Sequence, residues 1–215
     1  MSMAQLIAFP LGPFGLGATP ANDAGGRDLS SLSDEALMFR WRDGELDAFR
    51  VLYRRHRASL HRYVLRMTGA VAEAEEVFQD VWMAVVRSRD SWSPLAAFRT
   101  WLFSIANRRL ADRSRKRARR FNELFAAPID DEATSLPAAP EPDPAEAAHA
   151  SQLGQALLAA IGALPLDQRQ AFLMQAEGGL TLDEIAAASG VGRETVKSRL
   201  RYANQRLRRD LEAWR

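Results

Sequence analysis

The sequence predicts an all-α protein in which two small helical domains are joined by a flexible acidic linker. Apolar residues recur at three- and four-residue spacings in several segments, and no segment shows the alternation of a strand. Five of the ten prolines fall at positions 128–144, within a stretch that has no Lys or Arg from 121 to 168. We therefore assign a disordered N-terminal tail to residues 1–32, helical domains to 33–120 and 150–213, and the linker to 121–149.

Composition narrows the function classes. The chain has 215 residues and is 47% hydrophobic, which is enough for packed cores. It contains no cysteine, which excludes a disulfide scaffold, a thiolate zinc site and a cysteine nucleophile, and which fits a reducing compartment. No apolar run is long enough to span a bilayer, so no membrane insertion is expected. Because the N-terminus lacks a basic start and prolines and glycines interrupt its apolar stretch, we predict a cytoplasmic protein.

Helix boundaries can be assigned along the first domain. Ser33 can cap the first helix, and Gly44 interrupts the helical pattern. Gly69 is placed to end the second helix. That helix carries an apolar stripe of Phe49, Leu52, Tyr53, Leu60, Val64 and Met67.

The next two helices carry further aromatic residues and lead into the first basic block. The segment AEAEEVFQDVWMAVVRS places Val77, Val81 and Val85 on one line. Ser93 and Pro94 suit the N-cap and first turn of a fourth helix. Its apolar stripe is Phe98, Trp101, Leu102 and Ile105, and the helix can continue into the basic block that follows.

The second domain is also predicted to be helical. Its first helix carries Leu153, Leu157, Leu158 and Ile161 and ends before Leu164 and Pro165. The next helix holds Ala171, Phe172 and Met174 and stops at Gly178 and Gly179. Thr181 and Glu184 form the capping-box pattern of a short third helix, and Gly190 fits a left-handed turn after it. The last helix places Val196, Leu200, Ala203, Leu207 and Leu211 on one line.

Two interpretations fit the stretch from 181 to 209. Two short helices joined by a glycine turn form a helix-turn-helix, whose second helix can enter the DNA major groove. A three-helix bundle with a solvated basic face fits the spacing about as well. The face in question carries Glu194, Lys197, Ser198, Arg201, Tyr202, Gln205 and Arg208.

Two basic blocks favour a nucleic-acid partner. Residues 108–120 hold eight basic side chains and one acid, and residues 193–209 hold seven basic side chains and one acid. Aromatic residues precede the first block, and bases can stack on aromatics while arginines pair with phosphates. We assign Phe98 and Trp101 to the core, whereas Trp92 is expected to be available for stacking.

Four ordered segments resemble a known family. They are FRVLYRRHRASLHRYVLRMTG, AEAEEVFQDVWMAVVRS, FRTWLFSIANRRLADRSRK and LPLDQRQAFLMQAEGGLTLDEIAAASGVGRETVKSRL. The chain resembles the extracytoplasmic-function (group IV) sigma factors of the sigma-70 family over about 33–120 and 150–213. The resemblance implies that 33–120 is a region 2 bundle, which binds core RNA polymerase and the −10 promoter element. It implies that 150–213 is a region 4 helix-turn-helix, which binds the −35 element.

The resemblance also implies partners and site residues. The partners are promoter DNA, the clamp coiled coil of the largest polymerase subunit and an anti-sigma factor, and no cofactor or metal is implied. The residues that match the polymerase-docking segment are Glu75, Glu76, Phe78, Gln79, Asp80 and Trp82. Those that match the −10 region are Asn107, Arg108, Asp112, Arg113, Arg115 and Lys116. In the −35 region, Lys197, Ser198, Arg201 and Tyr202 lie on the base-facing side, and Arg193, Thr195, Arg199 and Arg206 are better placed for phosphates.

Two other functions are weaker fits. A LuxR-like helix-turn-helix regulator, acting without polymerase, would leave the first domain without a role. An enzyme is not expected, because His56 and His61 are five residues apart, a poor spacing for two ligands on one helix face. No histidine or further carboxylate motif accompanies Glu75, Glu76 and Asp80, and no catalytic residue is assigned.

Overall fold

The structure, a computed structural model, describes residues 29–124 and 144–212, and every regular element in these ranges is helical. The α-helices are α1 (Asp34–Arg42), α2 (Leu46–Thr68), α3 (Val71–Arg87), α4 (Phe98–Leu124), α5 (Pro144–Gly162), α6 (Leu166–Ala176), α7 (Leu182–Ser189) and α8 (Arg193–Asp210). The all-α prediction is confirmed. Most of the predicted tail and the central part of the predicted linker lie outside the described residues. Within the described ranges, none of the helices has the length and apolarity that a membrane crossing requires.

The chain enters the first domain earlier than predicted. Leu29–Ser31 forms a 3₁₀ turn, although the tail was expected to be disordered through residue 32. The guanidinium of Arg55 donates to the carbonyl oxygen of Ser30 at 2.6 Å, which ties this turn to α2. Ser33 then caps α1 as predicted, its hydroxyl accepting from the Ala36 amide at 3.2 Å.

Asp34 fastens the start of α1 to α2. Its carboxylate lies 2.7 Å from Arg55 Nη1 and 2.6 Å from Nε2 of the buried His56. Burial alone would raise the pKa of Asp34, but the hydrogen bonds from His56 and Arg55 and their positive charge lower the pKa. The carboxylate therefore stabilises the fold as long as it is ionised.

Replacing Asp34 by asparagine is expected to lower the free energy of unfolding by about 1.5–3 kcal/mol at pH 7, because hydrogen bonds to a charged group are lost. A carboxylate with a lowered pKa stabilises the fold above its unfolded-state pKa of about 3.9, and this contribution disappears as the pH falls through the lowered value. Urea unfolding at pH 7 and pH 3 should therefore show a large difference from the parent protein at pH 7 and a small one at pH 3. Asp47→Asn is the matched control, because Asp47 makes an exposed ion pair with Arg50 and should change stability little.

The core of the first domain matches the predicted stripes. Gly44 and Gly69 both adopt positive φ, at 103° and 74°, and Gly69 ends α2 with its amide donating to the Leu65 carbonyl. Most of the predicted α2 stripe is buried, and so are Val77, Val81 and Val85 of α3. Helices α1 to α4 thus enclose one apolar core.

The predicted start of the fourth helix is wrong. Residues 88–97 are a non-helical segment that contains turns, and α4 begins at Phe98, whose amide donates to Glu35 Oε1 at 3.0 Å. The prediction that Trp92 is available for base stacking is also wrong. Its ring is buried and packs edge-on against Phe39 at 5.4 Å, so it anchors the turns to α1. Burial of Trp92 outweighs the preference of Ser93 and Pro94 for a helix start, because burying a tryptophan removes a large apolar area from water.

The second domain departs from prediction at its start. Residues 144–149 were assigned to an extended linker, but α5 begins at Pro144, and α4 likewise continues to Leu124. Proline is accepted in the first helical turn, because the amide that it lacks has no intrahelical partner there. The capping box of Thr181 and Glu184 and the left-handed Gly190, at φ 70°, form as predicted. Val196, Leu200, Ala203 and Leu207 are buried, whereas Leu153 and Leu157 of α5 are exposed.

Candidate nucleic-acid interface

Helix α8 presents the basic face that the sequence predicts. Its apolar line is buried against α6 and α7, which leaves the opposite side in solvent. Lys197, Arg201 and Tyr202 are exposed, and Ser198 is half-buried beside them. The N-cap is Gly192, which has no side chain to cap the helix. The first amides of α8 are therefore open at a surface that the helix dipole makes favourable for phosphate.

Arg201 and Tyr202 act on each other. The Arg201 guanidinium carbon lies 4.9 Å from the centre of the Tyr202 ring, and Nη2 donates to the phenol oxygen at 3.2 Å. Such a cation–π contact limits the rotamers of an otherwise mobile arginine. The pair therefore offers a guanidinium edge and a phenol in a preset arrangement on the exposed face.

Two residues predicted to face phosphates form ion pairs within the second domain. Arg199 donates to Asp167 of α6 at 2.5 Å, and its side chain is only 21% exposed. Arg193 lies 2.9 Å from Asp183 of α7 and is about half exposed. Thr195 is exposed in the first turn of α8. Arg199 thus joins α8 to α6, whereas Arg193 and Thr195 lie at the open helix end.

Helix α4 carries the predicted −10 residues on more than one side. Arg108, Asp112, Arg115 and Lys116 are exposed. Arg108 folds back on its own helix, donating to the Ser104 carbonyl at 3.2 Å, and Arg115 pairs with Asp112 at 2.5 Å. Asn107 instead turns toward the second domain, where its Oδ1 accepts from Gln170 and its Nδ2 donates to the Ala188 carbonyl at 3.4 Å. The structure therefore does not bring the six residues onto one open face.

Arg113 links α4 to the helix predicted to dock on polymerase. Its Nη1 lies 2.6 Å from Glu76 and its Nε lies 3.0 Å from Glu73, both on α3. Glu76, which is predicted to contact polymerase, is thus paired with Arg113, which is predicted to contact the −10 element. An isolated sequence motif gives no sign of this pairing, because the two residues are in different segments.

A groove of about 370 Å³ lies between α3 and α4. Arg109, Arg113, Arg115 and Lys116 supply positive charge to its walls, and Asp80 and Asp112 supply acidic groups. Arg109 was not among the predicted site residues, although it belongs to the basic block at 108–120. The groove places the side of α3 that is predicted to dock on polymerase next to the basic side of α4.

The predicted docking residues on α3 divide into two groups. Gln79 and Asp80 are exposed, Glu76 is exposed but paired with Arg113, and Glu75 is half-buried with His61 Nε2 at 3.0 Å. The structure corrects the prediction that Phe78 and Trp82 contact polymerase, because both side chains are buried in an aromatic cluster with Phe49 and Tyr53. Their positions on the helix matched the docking segment, but they support α3 from within the core.

The acidic residues of this region do not form a metal site. Within residues 29–124 and 144–212, there is no group of three or more His, Cys, Asp or Glu side chains that could hold a metal ion. Glu75 and Glu76 are instead engaged with His61 and Arg113.

Two family models match the chain. Sigma-70 region 2 matches residues 52–120, and Sigma-70, region 4 matches residues 154–207. The chain is 32% identical to the RNA polymerase sigma factor CarQ of Myxococcus xanthus, over 80% of this chain and 93% of CarQ. It is 33% identical to the ECF RNA polymerase sigma factor SigE of Mycolicibacterium smegmatis, over 84% of this chain but only 65% of SigE.

A solved structure has a similar fold. The sigma factor RpoE from Bartonella quintana, in a co-crystal structure with the anti-sigma factor NepR, superposes with a TM-score of 0.64. The identity is 24%, and the match covers 78% of this chain and 98% of RpoE. Both structures therefore have the same helical fold.

Proposed function

The chain belongs to the extracytoplasmic-function sigma factors of the sigma-70 family, and from this premise we propose that it binds core RNA polymerase and directs it to promoters that carry its −10 and −35 elements. The observation that carries the proposal is the presence of both sigma regions on one chain. A helix-turn-helix alone would suit many regulators, whereas region 2 has a role only together with polymerase. The protein then acts in the cytoplasm, by binding and without catalysis.

Each surface has a distinct part in this function. The exposed side of α8, with Lys197, Ser198, Arg201 and Tyr202, reads the −35 element, because arginine and lysine can donate to guanine edges in the major groove. Arg193 and Thr195 at its N-terminus bind phosphates. The exposed residues of α3, Gln79 and Asp80 with Glu76, dock on the clamp coiled coil of the largest polymerase subunit.

Helix α4 and the groove beside it bind the −10 element. Arg108, Arg109, Arg115 and Lys116 provide charge for the phosphates, and Asn107 and Asp112 provide polar groups for a base taken out of the stack. Arg113 has a structural part as well, since its guanidinium is engaged by Glu73 and Glu76. An anti-sigma factor is a further expected partner, because RpoE of Bartonella quintana was solved with one.

Two measurements test the function. Purified protein should co-elute with core RNA polymerase in gel filtration in the absence of DNA. Mapping transcription start sites after overproduction should then reveal two shared upstream elements, and the reconstituted holoenzyme should start transcription at those sites. A LuxR-like regulator would instead bind DNA as a dimer and ignore core polymerase. Failure both to bind core enzyme and to open promoters would refute the sigma-factor assignment.

A further inference from the structure

The outer face of α2 carries basic residues that belong to neither promoter-reading helix. Residues 48–72 contain six arginines and no acid. Four basic side chains in the middle of α2 follow one another at spacings of four, three and four residues, which places them on one side of the helix. We call this set the basic row, and its members are Arg50, Arg54, Arg57 and His61.

The middle of the basic row has no acidic partner. Arg54 and Arg57 are exposed, and no carboxylate in residues 29–124 and 144–212 pairs with either of them. Acidic groups lie at the two ends of the row, where Asp47 pairs with Arg50 at 2.6 Å and Glu75 lies 3.0 Å from His61 Nε2. Two guanidinium groups at the centre are therefore available to an anion from outside the protein.

The basic row faces away from the helix that is proposed to bind the −10 element. The ring of His56 lies 5.2 Å from that of Phe98 in α4, and Tyr63 packs against α4 in the same way. Arg54 and His61 each precede one of these inward residues by two positions. Two positions rotate a side chain by about 200° around an α-helix. DNA on the basic row would therefore be a different segment from DNA on α4.

The chemistry of the basic row favours a phosphate backbone over a protein surface. Specific protein interfaces have an apolar centre, but none of the well-exposed large apolar side chains in the described part of the chain lies on α2. Both unpaired cations are arginines, whose planar guanidinium groups match the geometry of phosphate oxygens. From Arg50 to His61 the helix rises about 16 Å, which is close to the length of five base pairs of duplex at about 3.4 Å each. The row therefore fits a short stretch of one duplex backbone.

We propose that the basic row binds the phosphate backbone of duplex DNA without regard to sequence, as a third nucleic-acid surface separate from α4 and α8. The choice of DNA rests on the proposed function, since promoter recognition brings duplex DNA to this chain. A phosphate contact carries no sequence information of its own, because it touches no base edge. The basic row therefore adds the same affinity on promoter and on non-promoter DNA.

Replacing Arg54 and Arg57 together by alanine is the direct test. Each phosphate contact contributes about 0.9 to the slope of log affinity against log salt concentration, so the variant should lose about 1.8 of this slope. Over a fourfold rise in salt, the affinity of the parent should then fall about 12-fold more than that of the variant. The measurement is fluorescence anisotropy of the full chain on two labelled duplexes, one of scrambled sequence and one promoter found by start-site mapping. The change in slope should be the same on both.

Two further variants separate a local contact from net charge. Arg42→Ala with Arg87→Ala is the matched control, because both arginines are exposed in the same domain and lie outside α2. It removes the same charge and should leave the slope unchanged. Arg54→Lys with Arg57→Lys keeps the charge of the basic row and should keep the slope. Circular dichroism during thermal unfolding shows whether each variant retains its helices.

Three results would overturn the proposal. One is an unchanged slope in the alanine variant of Arg54 and Arg57, or an equal loss in the control, which would reflect net charge alone. Another is loss of co-elution with core polymerase at an unchanged slope, which would make the basic row part of the polymerase-docking surface. The third is tighter binding of a polyglutamate peptide or of duplex RNA than of DNA at the same salt concentration, lost in the alanine variant. If the parent protein does not co-elute with core polymerase, the proposed function fails, and the slope on scrambled duplex still decides whether the basic row binds DNA.

Discussion

Replacing Lys197 and Arg201 together by alanine is expected to reduce holoenzyme binding to promoters with a −35 element by at least roughly 30-fold. Each side chain that reaches a base edge contributes about 1–3 kcal/mol to discrimination, and two losses of about 1 kcal/mol already give this factor. The structure supports the choice, because both side chains are exposed on the face of α8 opposite its buried apolar line. Arg201 is also oriented by the Tyr202 ring.

The measurement is promoter affinity of the reconstituted holoenzyme, by fluorescence anisotropy at one fixed salt concentration. Salt must be fixed because phosphate contacts make all such affinities salt-dependent. Arg209→Ala is the control, since it removes a positive charge from the exposed C-terminal end of the same helix, outside the face that carries Lys197 and Arg201. Binding to core polymerase should be unchanged in both variants. Equal loss of promoter and polymerase binding would mean that the face of α8 is wrongly assigned.

Replacing Glu76 and Asp80 by lysine should produce the opposite pattern, with core-polymerase binding reduced by roughly 10- to 100-fold. Reversing two charges that meet a basic surface puts like charges together, which costs several kcal/mol at close range. Asp80 tests docking more directly than Glu76, because it is exposed on α3 beside the groove. Glu76 is already paired with Arg113, so its reversal also removes a contact between α3 and α4.

Two controls separate docking from this internal contact. Glu45→Lys with Asp47→Lys makes the same charge change at exposed positions elsewhere in the first domain and should leave polymerase binding intact. Glu76→Lys combined with Arg113→Glu restores the ion pair with its charges exchanged. If that combination also restores polymerase binding, Glu76 acts through α4 and not at the polymerase surface. Assembly of the Glu76 and Asp80 double variant at parent affinity would remove α3 from the docking site.

Local chemistry made much of the fold predictable. Thr181 and Glu184 satisfy each other's neighbouring amides within four residues, so the capping box forms wherever the helix does. Gly69 and Gly190 end helices in a left-handed conformation that other residues adopt only at a cost. The apolar line of α8 follows from helical periodicity alone, and its opposite face was therefore predictable as the exposed one.

The wrong predictions share one cause, which is contact between residues that are far apart in the chain. Trp92 and the Ser93–Pro94 signal were misjudged because Phe39, which covers the Trp92 ring, is more than fifty residues away in the chain. Phe78 and Trp82 matched a docking segment by position, yet helical spacing alone does not show which side of an amphipathic helix a neighbouring aromatic cluster will cover. In both cases tertiary burial of large rings outweighed the local pattern.

Sequence patterns alone were enough to predict that this protein is helical, where most of its helices end, and that it carries two sigma regions with basic surfaces. These properties depend on residues within a few positions of one another or on ordered motifs. The packing of the helices was needed to show that Asn107 is hydrogen-bonded to α6 and α7, that Glu76 is paired with Arg113, and that Glu177 is paired with Arg62 and Arg66. Each of these contacts joins residues that are far apart in the chain. Their pairing is set by how the helices pack, and no local preference encodes it.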